Sequence, residues 1–346
     1  MNPAEPPAPG PRRRVAFFGS PAWAVPVLEA LYRRHEVLLV VTQPDKPAGR
    51  GLELTPCPVA RRAAELGLRL EKPARLRKNP EFLERVRALG LDVAVTAAYG
   101  KILPAELLAV PRHGFLNLHP SDLPKYRGPA PVQWTLINGD AETAVSIMQT
   151  DAGMDTGPVV SKFHTAIAPH ETALELSERL RDKGIELLLE ALGRLEHLTL
   201  TPQPPEGTHA PMLEKDDGRV VWERPAHEIY NRHRGVQPWP GSWFELPVGS
   251  GPRLELPGGS GPRLEPPGGS GPRLEPSGKR VKVLSMRPVE GRGEPGAVLG
   301  VDSSGVAVAT GEGAILLQQV QPEGKKPMPA ADWARGARLE VGSRLG

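Results

Sequence analysis

Short apolar runs and longer amphipathic stretches alternate along the first two hundred or so residues. Arg14–Gly19 (RVAFFG) and Glu36–Thr42 (EVLLVVT) are apolar at almost every position, the pattern of strands covered on both faces. Between them Ser20–Tyr32 reads as a helix, with Pro21 suited to its first turn. The same reading predicts a helix over 58–66, a short strand over 68–71, a helix over 79–89 and a strand over Leu91–Tyr99. Strand-like runs follow at 115–119, 144–150 and 158–167. Glu171–Leu192 then sets Leu174, Leu180, Ile185, Leu188 and Leu192 at roughly helical spacing, an apolar stripe for a core. Alternation of this kind predicts an α/β domain, a Rossmann-like doubly wound parallel sheet, over residues 13–200.

The pattern changes after residue 200. TPQPPEGTHAPMLE (201–214) has four prolines and few large apolar groups, the composition of an interdomain linker. Beyond it a short helix over Pro225–His233 and β-like runs at 242–246, 280–287, 296–300, 305–310 and 313–320 predict a smaller all-β barrel domain over 215–346. A repeat interrupts it: GSGPRLELPG at 249–258 recurs as GSGPRLEPPG at 259–268 and GSGPRLEPSG at 269–278. Units this rich in Gly and Pro cannot bury a core. Arg253, Arg263 and Arg273 are each offset by Glu255, Glu265 or Glu275, so the 249–278 insertion is expected to be a neutral flexible loop rather than a phosphate-binding arm. Residues 1–12 are Pro-rich and expected to be a disordered tail.

Composition narrows the function classes. At 346 residues the chain exceeds one ordinary core. The net charge is +3, and the whole excess falls after residue 214, which permits a nucleic-acid partner without establishing one. With one cysteine no intramolecular disulfide can form; Cys57 lies between two prolines with no histidine nearby and is not expected to be a nucleophile. No apolar stretch approaches membrane length and the N-terminus has no apolar h-region, so no membrane association and a cytoplasmic location are expected. The first strand–helix turn, Gly19-Ser20-Pro21-Ala22, lacks the glycine fingerprint of a nicotinamide enzyme. His164 and His170 do not have metal-ligand spacing, and no metal is expected.

The chemistry concentrates in FLNLHPSDLPKYRGPAPVQW (115–134). Residues i and i+2 of a strand share a face, so Asn117 and His119 point the same way at the strand's C-terminal end. An amide there can hydrogen-bond a developing oxyanion and an imidazole can move a proton. Taken alone, a histidine at a strand end is more often structural than catalytic. A second stretch, TDAGMDTG (150–157), has the Gly and Asp content of a tight turn; if its strand neighbours the first, Asp155 can fold back over His119, orient it and favour its charged form.

These two motifs, NLHPSDLPKYRGPAPVQW and DAGMDTG at this spacing, closely resemble those of the folate-dependent formyltransferases, and the resemblance extends over roughly residues 14 to 340. It implies that Asn117, His119 and Asp155 are the catalytic trio and that Ser121, Asp122, Leu123 and Pro124 bind the folate. Asp122 is a departure, because the family has Leu at that place. The resemblance further implies 10-formyltetrahydrofolate as formyl donor, an OB-like C-terminal domain and a monomer.

Residues 43–58, with four prolines and two glycines, are expected to lack regular structure, and Lys46 and Arg50 put cations on the loop. It resembles the family's insertion loop that engages a tRNA acceptor end, which implies initiator methionyl-tRNA as formyl acceptor. The family's alternatives are a glycinamide ribonucleotide, disfavoured by the C-terminal domain, and an amino sugar nucleotide, disfavoured only by the PAGRG loop. A non-catalytic tRNA- or folate-binding module would have no reason to keep all three of Asn117, His119 and Asp155.

Overall fold

The structure is a computed structural model and describes residues 11–48, 53–246 and 278–345. These divide into two compact units, one running to Thr135 and including Asp140–Met212, the other comprising Leu136–Gly139 and everything from Leu213.

In the first unit the elements are β1 (Arg14–Gly19), α1 (Val25–Arg34), β2 (Glu36–Val41), β3 (Lys46–Ala48), β4 (Glu53–Thr55), α2 (Pro58–Glu65), β5 (Leu70–Glu71), α3 (Pro80–Arg87), β6 (Val93–Ala97), α4 (Ala105–Leu108), β7 (Phe115–His119), α5 (Pro131–Ile137), β8 (Glu142–Gln149), β9 (Val159–Ala166) and α6 (Ala173–Gly193). Seven strands form one sheet in the order β5-β2-β1-β6-β7-β8-β9. The order reverses between β1 and β6, the switch point that opens a crevice at the strands' carboxyl ends. The first five strands are parallel, as a doubly wound sheet requires, whereas β8 and β9 run antiparallel to their neighbours. For the β8–β9 pair the physical reason lies in the connection: Thr150–Pro158 joins β8 directly to β9 with no crossover helix, and so short a link can join only antiparallel strands.

Every residue of β6 and the last five of β1 are buried, which is why both strands read as uninterrupted apolar runs. Phe18 meets Tyr99 and Phe115 edge to face at ring-centroid separations of 5.4 and 5.2 Å, tying β1 to β7 through the core. Helix α6 begins with a capping box between Thr172 and Glu175. Along it Leu176, Leu180, Leu188 and Leu192 are buried while Leu174 is half exposed, so the stripe runs through the first four and not through Leu174.

Two further expectations are corrected. The 43–58 loop is not wholly irregular, because β3 and β4 pair as an antiparallel hairpin with Pro47 opposite Leu54; a two-stranded edge tolerates a residue that cannot donate. Nor does 201–212 stand free as a linker. Thr201 exchanges two hydrogen bonds with Val159, and Thr208 and Ala210 bond the backbone of Arg127, so this strap lies on the first unit.

In the second unit, α7 (Ala226–Gly235), β10 (Ser242–Glu245), β11 (Arg280–Val289), β12 (Val298–Asp302), β13 (Gly305–Ala309), β14 (Ala314–Pro322), β15 (Met328–Pro329) and α8 (Ala330–Ala337) enclose one core. The sheet order is β10-β11-β14-β13-β12, antiparallel throughout, with β15 on β14. This is the small antiparallel β domain that the sequence predicts, with β10 and β12 as its outer strands among the described residues. Phe244 packs between Trp222 and Trp333, each 5.7 Å away between ring centroids. The expected repeat loop falls almost wholly at 247–277, outside the described residues.

Candidate active site

A cavity of about 710 Å³ opens at the carboxyl ends of β6 and β7, bounded by the loops after β1, β6, β7 and β8. Thr96, Asn117, His119 and Asp155 supply polar groups, and Trp23, Leu103, Ile102, Val132, Met154 and Met212 supply apolar surface. A concave, largely apolar site with a few convergent polar groups suits a flat organic ligand.

The sheet register sets the polar groups. Thr96 on β6 stands opposite Asn117 on β7. Its hydroxyl donates to Asn117 Oδ1 at 2.9 Å, so the amide nitrogen is turned the other way, where Nδ2 lies 3.4 Å from Asp155 Oδ1. Two residues along β7, His119 is 4% exposed. Its Nε2 donates to the carbonyl of Tyr126 at 3.0 Å, which commits the proton of the neutral ring to that nitrogen. Nδ1 faces Asp155 Oδ2 at 3.7 Å, and the same carboxylate oxygen accepts from the Gly128 amide at 2.9 Å.

Asp155 thus touches all three neighbours from the β8–β9 turn. Its backbone is left-handed, φ +54°, as are those of Ala98 (+49°) and Tyr126 (+61°) beside it. Three non-glycine residues in that region, each costing on the order of 1 kcal/mol or more, mark a site whose surroundings over-determine it. Gly157 closes the turn where a Cβ would stand 1.9 Å from the carbonyl of Gln149, so only glycine fits. Burial pushes the Tyr99 phenol, which also borders the cavity, well above its ordinary range, and it stays neutral.

The other expected site residues lie elsewhere. Ser121, Asp122, Leu123 and Pro124 do not line the cavity. Ser121 is fully buried and its hydroxyl turns inward to the carbonyl of Lys125 at 2.8 Å. Leu123 packs with Met148 and Val159, and Asp122 is held at 2.7 Å by the ammonium of Lys162. Ser121 and Leu123 are thus turned into the body of the unit, Asp122 and Pro124 are half-buried, and their neighbours Pro120, Gly128 and Pro129 line the cavity. Lys46 is exposed on the β3–β4 hairpin, and Arg50 lies outside the described residues. Among the described residues no three His, Cys, Asp or Glu side chains gather as a metal site, and no helix is long and apolar enough to cross a membrane.

Sequence reasoning missed Thr96, whose partner is twenty-one positions away, and also Gln203 and Arg127, which hold the Asp155 turn from behind. None has a local signal, because each acts through strand or loop neighbours far away in the chain.

An amide, an imidazole and a carboxylate thus converge on one cavity at the carboxyl ends of a mostly parallel sheet. Residues 13–192 match the formyl transferase family and residues 212–338 match the formyl transferase C-terminal domain, so the chain belongs to the formyl transferases. It is 53% identical over 333 residues to the methionyl-tRNA formyltransferase of Thermus thermophilus, covering 96% of this chain and 99% of that protein. It is 49% identical over 341 residues to the enzyme of the same name from Deinococcus radiodurans, 98% and 96% of the two chains. Among solved structures, the N-formyltransferase from Helicobacter canadensis, in complex with folinic acid and dTDP-3-aminofucose, shares the fold: its TM-score is 0.59 at 15% identity, over 88% of this chain and 99% of that one. HypX from Aquifex aeolicus in complex with tetrahydrofolic acid gives a TM-score of 0.59 at 18% identity; 96% of this chain matches 48% of HypX, so the chain spans about half of it.

Proposed function

We propose that this protein transfers the formyl group of 10-formyltetrahydrofolate to the α-amino group of methionine esterified to initiator tRNA. The observation that carries this reading is its identity of 53%, over 96% of its length, to an enzyme named for that activity. The cavity supports it, since its apolar walls suit a flat heteroaromatic ring and its polar groups converge at one end.

The uncharged amine attacks the formyl carbon, a C–N bond forms, and the carbonyl oxygen gathers negative charge in a tetrahedral transition state. Asn117 Nδ2, aimed away from Thr96, donates to that oxygen. His119 works through Nδ1, because Nε2 is engaged by Tyr126. As imidazolium it donates to the oxyanion and then passes its proton to the departing folate nitrogen as the second C–N bond breaks; the proton lost by the amine restores it. Asp155 holds the ring's orientation and pairs with its charged form. Removing one such donor typically costs about a hundredfold or more in rate.

Ser121, Asp122, Leu123 and Pro124 serve the folate by fixing the loop that carries Gly128 and Pro129, not by touching it. Lys46, with Arg50 beyond it, pairs with phosphates of the acceptor end.

The test is formylation of charged initiator methionyl-tRNA by the purified protein with 10-formyltetrahydrofolate, beside uncharged tRNA, elongator methionyl-tRNA and an amino sugar nucleotide. Formylation confined to the charged initiator is expected. Formylation of the sugar alone would leave the trio in place and overturn the acceptor.

A further inference from the structure

Gln203 lies in the strap that follows α6, forty-eight positions from Asp155, and touches nothing that reacts. Its amide nitrogen donates to two carbonyls of the Asp155 turn, Asp155 O at 2.9 Å and Gly157 O at 2.7 Å. Its amide oxygen accepts from Arg127 Nε at 3.1 Å and Nη2 at 3.0 Å. Arg127 is 5% exposed and is held in turn by the carbonyls of Pro204 and Pro205, at 2.8 and 3.1 Å. Its neighbours in the chain are the two residues that grip the reacting pair: Tyr126, whose carbonyl accepts from His119, and Gly128, whose amide donates to Asp155.

The arrangement is therefore a crosspiece. One side chain joins the loop that positions the imidazole to the turn that carries the carboxylate. It acts on the backbone carbonyl of a residue held at φ +54°, a conformation the chain would otherwise leave. The 3.7 Å separation between His119 and Asp155 is set by both loops at once, and Gln203 and Arg127 are the bridge between them. An amide is the group that can do this, because it offers donors to two carbonyls and an acceptor to a guanidinium from one planar head.

We infer that Gln203 is a positioning residue for Asp155, acting through the Asp155 carbonyl and through Arg127 to hold the carboxylate against His119. This rests on the reading of His119 and Asp155 as catalytic.

Gln203→Glu keeps the oxygen that Arg127 binds and sets a second oxygen against the two carbonyls. Gln203→Met keeps the length and removes both functions. The expected result is a folded protein in each case, with kcat lowered about tenfold, KM for 10-formyltetrahydrofolate within about twofold, and the alkaline limb of the pH–kcat profile displaced to lower pH, because the His119 imidazolium has a less well placed partner. In an Asp155→Asn background, Gln203→Glu should cost less than about twofold more, since its route to the reaction is already cut. The inference is overturned by kcat within twofold of wild type in either folded variant, by a change confined to KM, by a full additional loss in the double variant, or by loss of the fold in both variants. Near-normal turnover in Asp155→Asn alone would instead remove the catalytic reading on which the inference stands.

Discussion

Thr96→Val tests how the oxyanion donor is aimed. Thr96 is 7% exposed and valine nearly matches its shape, so the change deletes a hydroxyl and little else. That hydroxyl has one proton and two acceptors in range, Asn117 Oδ1 at 2.9 Å and the Leu116 carbonyl at 3.5 Å; the shorter bond takes it. Without it Asn117 Oδ1 has lost a partner, and the amide can rotate by half a turn, presenting oxygen where nitrogen should meet the developing negative charge. Leaving a partly buried acceptor unsatisfied costs about 1–3 kcal/mol, and if 1–2 kcal/mol of this appears in the transition state, kcat falls about five- to thirtyfold. The loss should be smaller than that of Asn117→Ala, which removes the donor outright. The assay is single-turnover formylation at saturating donor, with thermal melting alongside to show the variant folded. A folded Thr96→Val with kcat within twofold of wild type would refute the argument that the β6 hydroxyl sets the amide.

Three further outcomes are expected. Gly157→Ala should be among the most damaging single changes to the site, because its Cβ meets the Gln149 carbonyl at 1.9 Å; a melting temperature and turnover near those of wild type would show that the turn shifts freely. Asp122→Leu breaks the ion pair with Lys162 but leaves the cavity lining intact, so KM for the folate donor should change less than about threefold, and a larger shift would return that tetrapeptide to the folate's surface. Burial holds His35 and His233 neutral, with pKa values lowered from 6.5 to about 4, so the unfolded chain binds more protons as pH falls from 6.5 towards 4 and stability is lost across that window. At about 1.4 kcal/mol per pH unit, the deeply buried His233 removes on the order of 3 kcal/mol by pH 4, and His35, more open to solvent and lowered partly by nearby arginines, removes less. Glu196, lowered to about 2 chiefly by its hydrogen bond to Arg13, contributes only in a lower window, from its ordinary 4.5 down, so melting measured between pH 7 and 5 isolates the histidines; a flat profile there would refute it.

Much of the site was legible because it rests on strand periodicity. Asn117 and His119 share a face of β7 for the same reason that any i and i+2 do, and the apolar run of 115–118 marks the strand from sequence alone. Asp155 was legible as a turn residue. How Ser121–Pro124 packs was not legible, because whether a Pro-rich loop turns a side chain outward or to the interior depends on what lies beneath it; under Leu123 that is Met148 and Val159, from two other strands. The packing of the 201–214 segment was hidden for the same reason. Proline-rich composition tells that 201–212 is irregular, and nothing in it tells that Thr201 meets Val159 or that Gln203 meets Arg127.

By itself, then, the order of residues determined the elements, the α/β and all-β halves, and three residues able to carry a transfer reaction, because backbone periodicity and turn chemistry are local. Only the tertiary structure decided that β8 runs against the other strands of its sheet, that Thr96 aims Asn117, that Nδ1 of His119 is the ring nitrogen turned to Asp155, and that Gln203 ties the two loops together. The side-chain contacts among these join groups twenty to eighty positions apart, and no local preference of either partner specifies the other.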